Sequence, residues 1–210
     1  MKILKYFLLI IFLIVIVHCK SQKDYNKYFN SLVVRDLNGN RFYLNQIKNP
    51  VLILNFYSPT CVPCVEELPA LHLIYEEAKK LNYSMFLGVE PNLERNLPEI
   101  PEEYKNKPFD EKSFELLKQT LLLDIQKRKI KIPLIIFEPP FRIDNNEIIT
   151  GTPETLIFTT NPLILRYNFI GPIATNQDPE MIQENTRYKF FISLLRTIHQ
   201  NLNKSLEYNN

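Results

Sequence analysis

An α/β sandwich around a mixed sheet is the fold class this sequence predicts. Strand-like and helix-like segments alternate through the middle of the chain. A near-continuous apolar run at 51–57 reads as a central strand, and paired short strands stand near both ends. Alternation of this kind builds layered α/β domains. Apolar runs without in/out alternation belong to strands buried on both faces.

The elements follow in order. Leu32, Val33 and Val34 make a short strand, and Asn38-Gly39 is a hairpin turn signal before its alternating partner at 41–44. Asn49-Pro50 breaks the chain ahead of the central strand. A loop at 58–63 precedes a helix whose apolar residues Leu68, Leu71, Ile74, Tyr75, Ala78 and Leu81 recur at helical spacing. Pro69 inside that pattern is expected to kink it. Residues 84–89 read as a strand, and 91–108, rich in Pro, Asn and Glu, as a surface insertion. An amphipathic helix is expected at 112–127, another apolar stretch at 132–137 and an irregular segment at 141–151. Two strands at 155–160 and 163–169 flank Asn161-Pro162, and a last amphipathic helix is expected at 181–202.

The chain has 210 residues with a formal charge of +2, and 45% of it is hydrophobic. That supports one domain with a real core and gives no reason to expect a nucleic-acid partner. The N-terminus reads as an address. Lys2 and Lys5 precede an uncharged apolar run at 6–17, too short to span a bilayer comfortably, with a quick polar exit. An export signal or anchor is therefore expected over 1–19, a polar tether over 20–30, the folded domain over 31–202 with its insertion at about 91–110, and a polar tail over 203–210. The run ends Val15-Ile16-Val17-His18-Cys19, which resembles a lipobox except that His18 is not small. Cys19 is the candidate lipidated residue, with an uncleaved anchor as the alternative. Either places the domain on the extracytoplasmic, periplasmic side of a membrane.

Three cysteines cannot form a paired framework, and Cys19 stands apart from Cys61-Val62-Pro63-Cys64. Zinc would need a second ligand pair, and His18, His72 and His199 do not supply one. A c-type haem attachment needs His at 65, where Val65 stands. A redox dithiol remains. Following a buried strand and opening a helix, Cys61 would meet unpaired N–H groups and the positive end of the helix dipole, which favour the thiolate. Cys64, one turn later, would resolve the mixed disulfide. Pro63 removes one N–H and stiffens the turn. No cofactor and no metal are expected beyond the cysteine pair itself.

The block VLILNFYSPTCVPCVEELPAL at 51–71 resembles the active-site block of TlpA/ResA-type thioredoxin-like proteins. Gly151-Thr-Pro-Glu-Thr-Leu-Ile-Phe158 resembles their cis-proline loop, in a form most similar to the CcmG-type reductases of cytochrome c maturation. Arg166-Tyr-Asn-Phe-Ile-Gly-Pro172 resembles their final strand and turn, and the hairpin at 31–44 also fits. The resemblance implies a three-layer thioredoxin-like sandwich with an N-terminal hairpin extension and helices on both faces. It implies that Pro153 is a cis-proline facing the disulfide, with Thr152, Thr60 and Pro63 around the bound substrate. It implies a reductase of exported proteins with cysteine pairs, apocytochrome c among them, served by a membrane thiol protein as electron donor or acceptor.

Several positions depart from that pattern. Thr60 and Tyr57 stand where relatives often carry Trp, so a smaller and more polar surface is expected beside the disulfide. Asn55 replaces the buried Asp of cytoplasmic thioredoxins. Glu90, after the next strand, is then the candidate proton relay; the alternative is a solvated loop glutamate. Glu66 and Glu67 are expected to be exposed in the first turns of the helix. Other functions remain open: a disulfide-forming oxidase using the same cysteines, a non-catalytic binding module, and a peroxidase-like thiol enzyme, although no supporting Arg and Thr pattern surrounds Cys61.

Overall fold

The computed structural model describes residues 25–207. The expected signal over 1–19, with Cys19, and the first part of the tether lie outside the described residues. Among the described residues, no helix is long and apolar enough to cross a membrane.

The strands are β1 (Val33–Asp36), β2 (Arg41–Tyr43), β3 (Val51–Phe56), β4 (Ser84–Val89), β5 (Leu134–Phe137), β6 (Glu154–Thr159) and β7 (Ile164–Ile170). They form one mixed sheet in the order β2-β1-β5-β4-β3-β6-β7. β3 lies inside it, parallel to β4 and antiparallel to β6. All six of its residues are buried, as its unbroken apolar run requires.

Period-two alternation sorts the core into two layers. Val51, Ile53, Met85, Leu87, Ile136 and Ile157 point to one face, against the helices α2 (Val62–Lys80), α4 (Glu111–Arg128) and α6 (Thr186–Glu207). Leu52, Leu54, Phe56, Ile135, Phe137 and Phe158 point to the other, which is covered by Phe29, Phe141, Ile143 and Ile149. Gly88 is the narrow point of that face. A Cβ there would come within 2.7 Å of the Phe137 ring.

The expected tether ends early. From Tyr25 to Ser31 the chain forms helix α1. Its Phe29 is fully buried and packs its ring against Phe56 and Phe158. Tyr25, Tyr28 and Phe29 stand at i, i+3 and i+4, a helical spacing, but one turn of it in a polar stretch is too short a signal to mark a helix. What makes this helix is the apolar sheet face that needs a cover, since most helical stability comes from tertiary packing. The expected surface insertion is also more than surface. Leu93 opens a short helix α3 (Leu93–Asn96), Leu97 caps its end, and both are buried with Asn96. The closing helix is two pieces, α5 (Pro179–Glu184) and α6, and α6 continues to Glu207, past the expected start of a polar tail.

Helix α1 is thus part of the domain. Phe29→Ala should destabilise the chain by about 3–5 kcal/mol, read as a lower urea midpoint. A midpoint equal to wild type would return residues 25–31 to the status of a tether.

Candidate active site

The site stands where β3 ends. The Tyr57 N–H donates to the Gly88 carbonyl at 2.9 Å, extending the β3–β4 pairing by one residue. The chain then turns through Ser58, Pro59 and Thr60 into α2. Cys61 is the N-cap of α2, and its sulfur accepts from the Cys64 N–H at 3.3 Å. Pro63 occupies the first helical turn, where a missing N–H costs no helical bond. Cys61 and Cys64 are joined as a disulfide. Cys64 is fully buried, whereas Cys61 is partly exposed. An incoming sulfur therefore meets Cys61 first. The helix dipole and free N–H groups at this end favour its thiolate once the pair is reduced.

The turn before Cys61 is held by polar ties. Both Ser58 Oγ and Thr60 Oγ1 donate to the Arg95 carbonyl in the insertion, the first at 2.6 Å. The buried Tyr57 hydroxyl donates to Asp124 Oδ2 at 2.6 Å. Arg128 pairs with Asp124 Oδ1 at 2.5 Å and reaches the Pro59 carbonyl at 3.3 Å. Burial and the neighbouring carboxylate raise the Tyr57 pKa, which keeps the hydroxyl a donor. Tyr57 is therefore a buried anchor rather than a surface aromatic.

The Thr152-Pro153 bond is cis, as the resemblance implied. β6 starts at the next residue, and its Glu154 pairs with Phe56 at the end of β3. Glu154 is buried and accepts from the Thr150 N–H at 3.1 Å and from Asn168 Nδ2 at 2.7 Å, fixing the loop on which Thr152 sits. Thr152, Thr60, Cys61 and Glu90 line one pocket of about 250 Å³. Of the residues expected around the cysteines, Pro63 is exposed on the first helical turn and is not among those lining this pocket.

Glu90 is a buried residue, not a solvated loop glutamate. Its Oε1 accepts from the Ile143 N–H at 2.8 Å and its Oε2 lies 3.6 Å from Arg95 Nε. Desolvation raises its pKa, against the pull of the Ile143 N–H and Arg95.

Glu67 corrects the expectation of an exposed first-turn residue; only Glu66 is exposed. Glu67 is fully buried. It accepts from the Ile173 N–H at 2.7 Å and lies 3.4 Å from Asn55 Nδ2, which also donates to Thr155 Oγ1 at 2.9 Å. Desolvation pushes its pKa up to about 7, more than these donors lower it. The signal was present in the spacing. Cys64, Glu67, Leu68 and Leu71 fall on one helical stripe, and the charge of Glu67 concealed its place there. Arg95, Asn96, Asp124 and Arg128 had no comparable signal, because long-range packing brings them to the site. Among the described residues, no group of three or more His, Cys, Asp or Glu is placed to hold a metal ion.

A helix-capping cysteine disulfide facing a cis-proline loop on a mixed sheet defines a thioredoxin-like dithiol domain. Residues 26–164 match the AhpC/TSA family, and the chain belongs to that family. It is 31% identical over 61 residues to the thiol-disulfide oxidoreductase ResA of Bacillus thuringiensis and, equally, to that of Bacillus anthracis. These matches cover 29% of this chain and span only 35% of each relative. Among solved structures, a domain of a possible thiol-disulfide isomerase from Cytophaga hutchinsonii has the same fold, with a TM-score of 0.50, 16% identity, and coverage of 81% of this chain and 90% of that one. StoA from Bacillus subtilis aligns with a TM-score of 0.46 at 16% identity, over 75% of this chain and 97% of its own.

The buried Glu67 gives stability a pH dependence. Its folded pKa, about 7, exceeds the ordinary 4.5. Between those values the folded chain keeps a proton that the unfolded chain releases, so stability falls as pH rises through that window, by on the order of 3 kcal/mol. Urea unfolding at pH 5 and pH 8 should show this loss, and Glu67→Gln should largely remove it. Equal losses in both chains would place the pH dependence elsewhere.

Proposed function

We propose that this protein is a thiol:disulfide oxidoreductase that reduces disulfides in exported proteins. The Cys61–Cys64 disulfide, capping a helix and sharing a pocket with Thr152, carries the reading. In the reduced chain the Cys61 thiolate attacks one sulfur of a substrate disulfide. A Cys61–substrate disulfide forms and the other substrate sulfur leaves as a thiolate. Cys64 then loses its proton and attacks Cys61 Sγ, which releases the second substrate thiolate and restores the Cys61–Cys64 disulfide. Two electrons pass from the pair to the substrate, and an external dithiol protein must return them. Two buried carboxyls flank the pair, Glu90 in the Cys61 pocket and Glu67 one turn after Cys64. Burial raises both carboxyls above their ordinary range, Glu67 to about 7. That suits Glu67 to taking up and returning protons near neutral pH and makes Glu90 the second candidate.

The basic and apolar segment at 1–19 supports a site of action outside the cytoplasmic membrane, with attachment through Cys19 or through the segment itself. The Gly-Thr-Pro-Glu-Thr block at 151–155 supports apocytochrome c as a substrate, with a membrane thiol protein as electron donor.

Equilibration with dithiothreitol should reveal a reversible two-electron couple at about −270 mV or lower, the thioredoxin value. Glu90→Gln should keep that couple while slowing disulfide reduction, on the order of a hundredfold. A value near −120 mV would reverse the direction to oxidation, and absence of a couple would end the redox reading. Mass spectrometry of the mature N-terminus should find Cys19 lipidated and first in the chain; an intact Met1 would leave only the uncleaved anchor.

A further inference from the structure

Helix α4 carries a second stripe beside the one it buries. Phe114, Leu117 and Leu121 belong to the core. Leu116, Thr120 and Leu123 follow one another at i, i+4 and i+7 on a neighbouring face, and Leu123 is 68% exposed. That stripe lines an open groove of about 750 Å³. The insertion lines it with Leu97, Pro98 and Pro101, and the active-site turn with Pro59 and Thr60. The groove and the Cys61 pocket share one residue, Thr60. The groove therefore begins one residue from the reactive sulfur.

Most polar groups in this lining are already bonded within the protein. Thr60 Oγ1 donates to the Arg95 carbonyl and Thr120 Oγ1 to the Leu116 carbonyl. Asp124 is held by Tyr57 and Arg128. The three prolines have no N–H to offer, and their φ angles are fixed. Glu99 and Lys127, both exposed, keep their charges in water. A polar ligand would thus leave water with few new partners, whereas an apolar one would cover leucine and proline surface that now faces water.

We propose that this groove takes an apolar side chain, of leucine or phenylalanine size, from the substrate polypeptide, a few residues from the cysteine that Cys61 attacks. The substrate is the occupant because Thr60 joins the groove to the place where the substrate is covalently held. An extended chain advances about 3.3–3.6 Å per residue. Residues two to four places from the attacked cysteine can therefore pass Thr60 while the Cys61–substrate disulfide is in place. The docking site rests on the thiol-exchange reading.

The test uses the full chain, reduced with dithiothreitol and freed of it. The substrates are short peptides joined in pairs through a single Cys, so that attack on either sulfur leaves the same peptide on Cys61. They differ only in carrying Leu or Ser two, three or four places before or after Cys. The second-order rate of thiol release is measured, with the Cys61→Ser chain subtracting any reaction at Cys19. In at least one placement the Leu peptide should react about tenfold faster than the Ser peptide, the ratio that half-burying a leucine side chain gives. In Leu123→Asp that ratio should fall toward one. In Leu122→Asp, also exposed but outside the groove, it should persist. Ratios within one protein preparation cancel any loss of folded chain. Equal rates for Leu and Ser in every placement would overturn the docking site and leave thiol exchange standing. A Leu preference that survives in Leu123→Asp, or is lost equally in Leu122→Asp, would also overturn it. So would a dimer in sedimentation, or binding to phosphatidylglycerol vesicles, that Leu123→Asp abolishes, since the groove would then belong to a second copy or to a membrane. No reaction with any peptide would overturn the thiol-exchange reading and the docking site together.

Discussion

The pairing of Phe56 with Glu154, where β3 ends and β6 begins, is the constraint on which the site depends. It sets the Cys61 turn and the Thr152-Pro153 loop side by side, although they are far apart in the chain. β3 can hold that position because β4 and β6 pair it on both edges and both its faces are buried. A one-residue slip would send Asn55 to the aromatic face and Phe56 toward the helices. Each face accepts only its own set, so the register is strongly specified.

Around this frame, polar groups hold the active-site turn where a bulky aromatic would otherwise pack. Thr60 and Ser58 share the Arg95 carbonyl, and Tyr57 reaches Asp124 and through it Arg128. The tie between Asp124 and Arg128 is shielded from water at the Asp124 end, which is only 7% exposed, so salt screens it less than a surface pair. Two separate segments, the insertion and α4, therefore converge on the residues just before Cys61. The small, hydrophilic turn that results leaves room for a polar pocket.

The same surroundings act against stability at the carboxyls. Glu67 is buried among a backbone N–H and an amide, without a cation at hydrogen-bonding distance. Its ionised form is disfavoured, and the fold carries that cost as pH rises. Glu90, in the pocket beside Cys61, is also buried but has Arg95 3.6 Å away. The aromatic layer on the far face, where Phe56, Phe137 and Phe141 stack, supplies compensating burial.

Short-range patterns were legible in the chain itself. The apolar run of β3, the spacing of Cys61 and Cys64 at a helix start, the Gly-Thr-Pro-Glu-Thr loop and the Asn38-Gly39 turn each depend on neighbours within a few residues. That is why the strand segments, the long helices and the reactive pair could be read without coordinates. Tertiary packing decided the rest. Phe29 became core because the far face of the sheet lacked a long helix. Glu67 went inside because α2 turns that face to the sheet. Asn96 and Arg95 reached Cys61 because the insertion folds back over the turn. Burial is set by what the rest of the chain lays over a residue. Local sequence therefore determined the redox-capable pair, and only the fold decided which polar groups surround it.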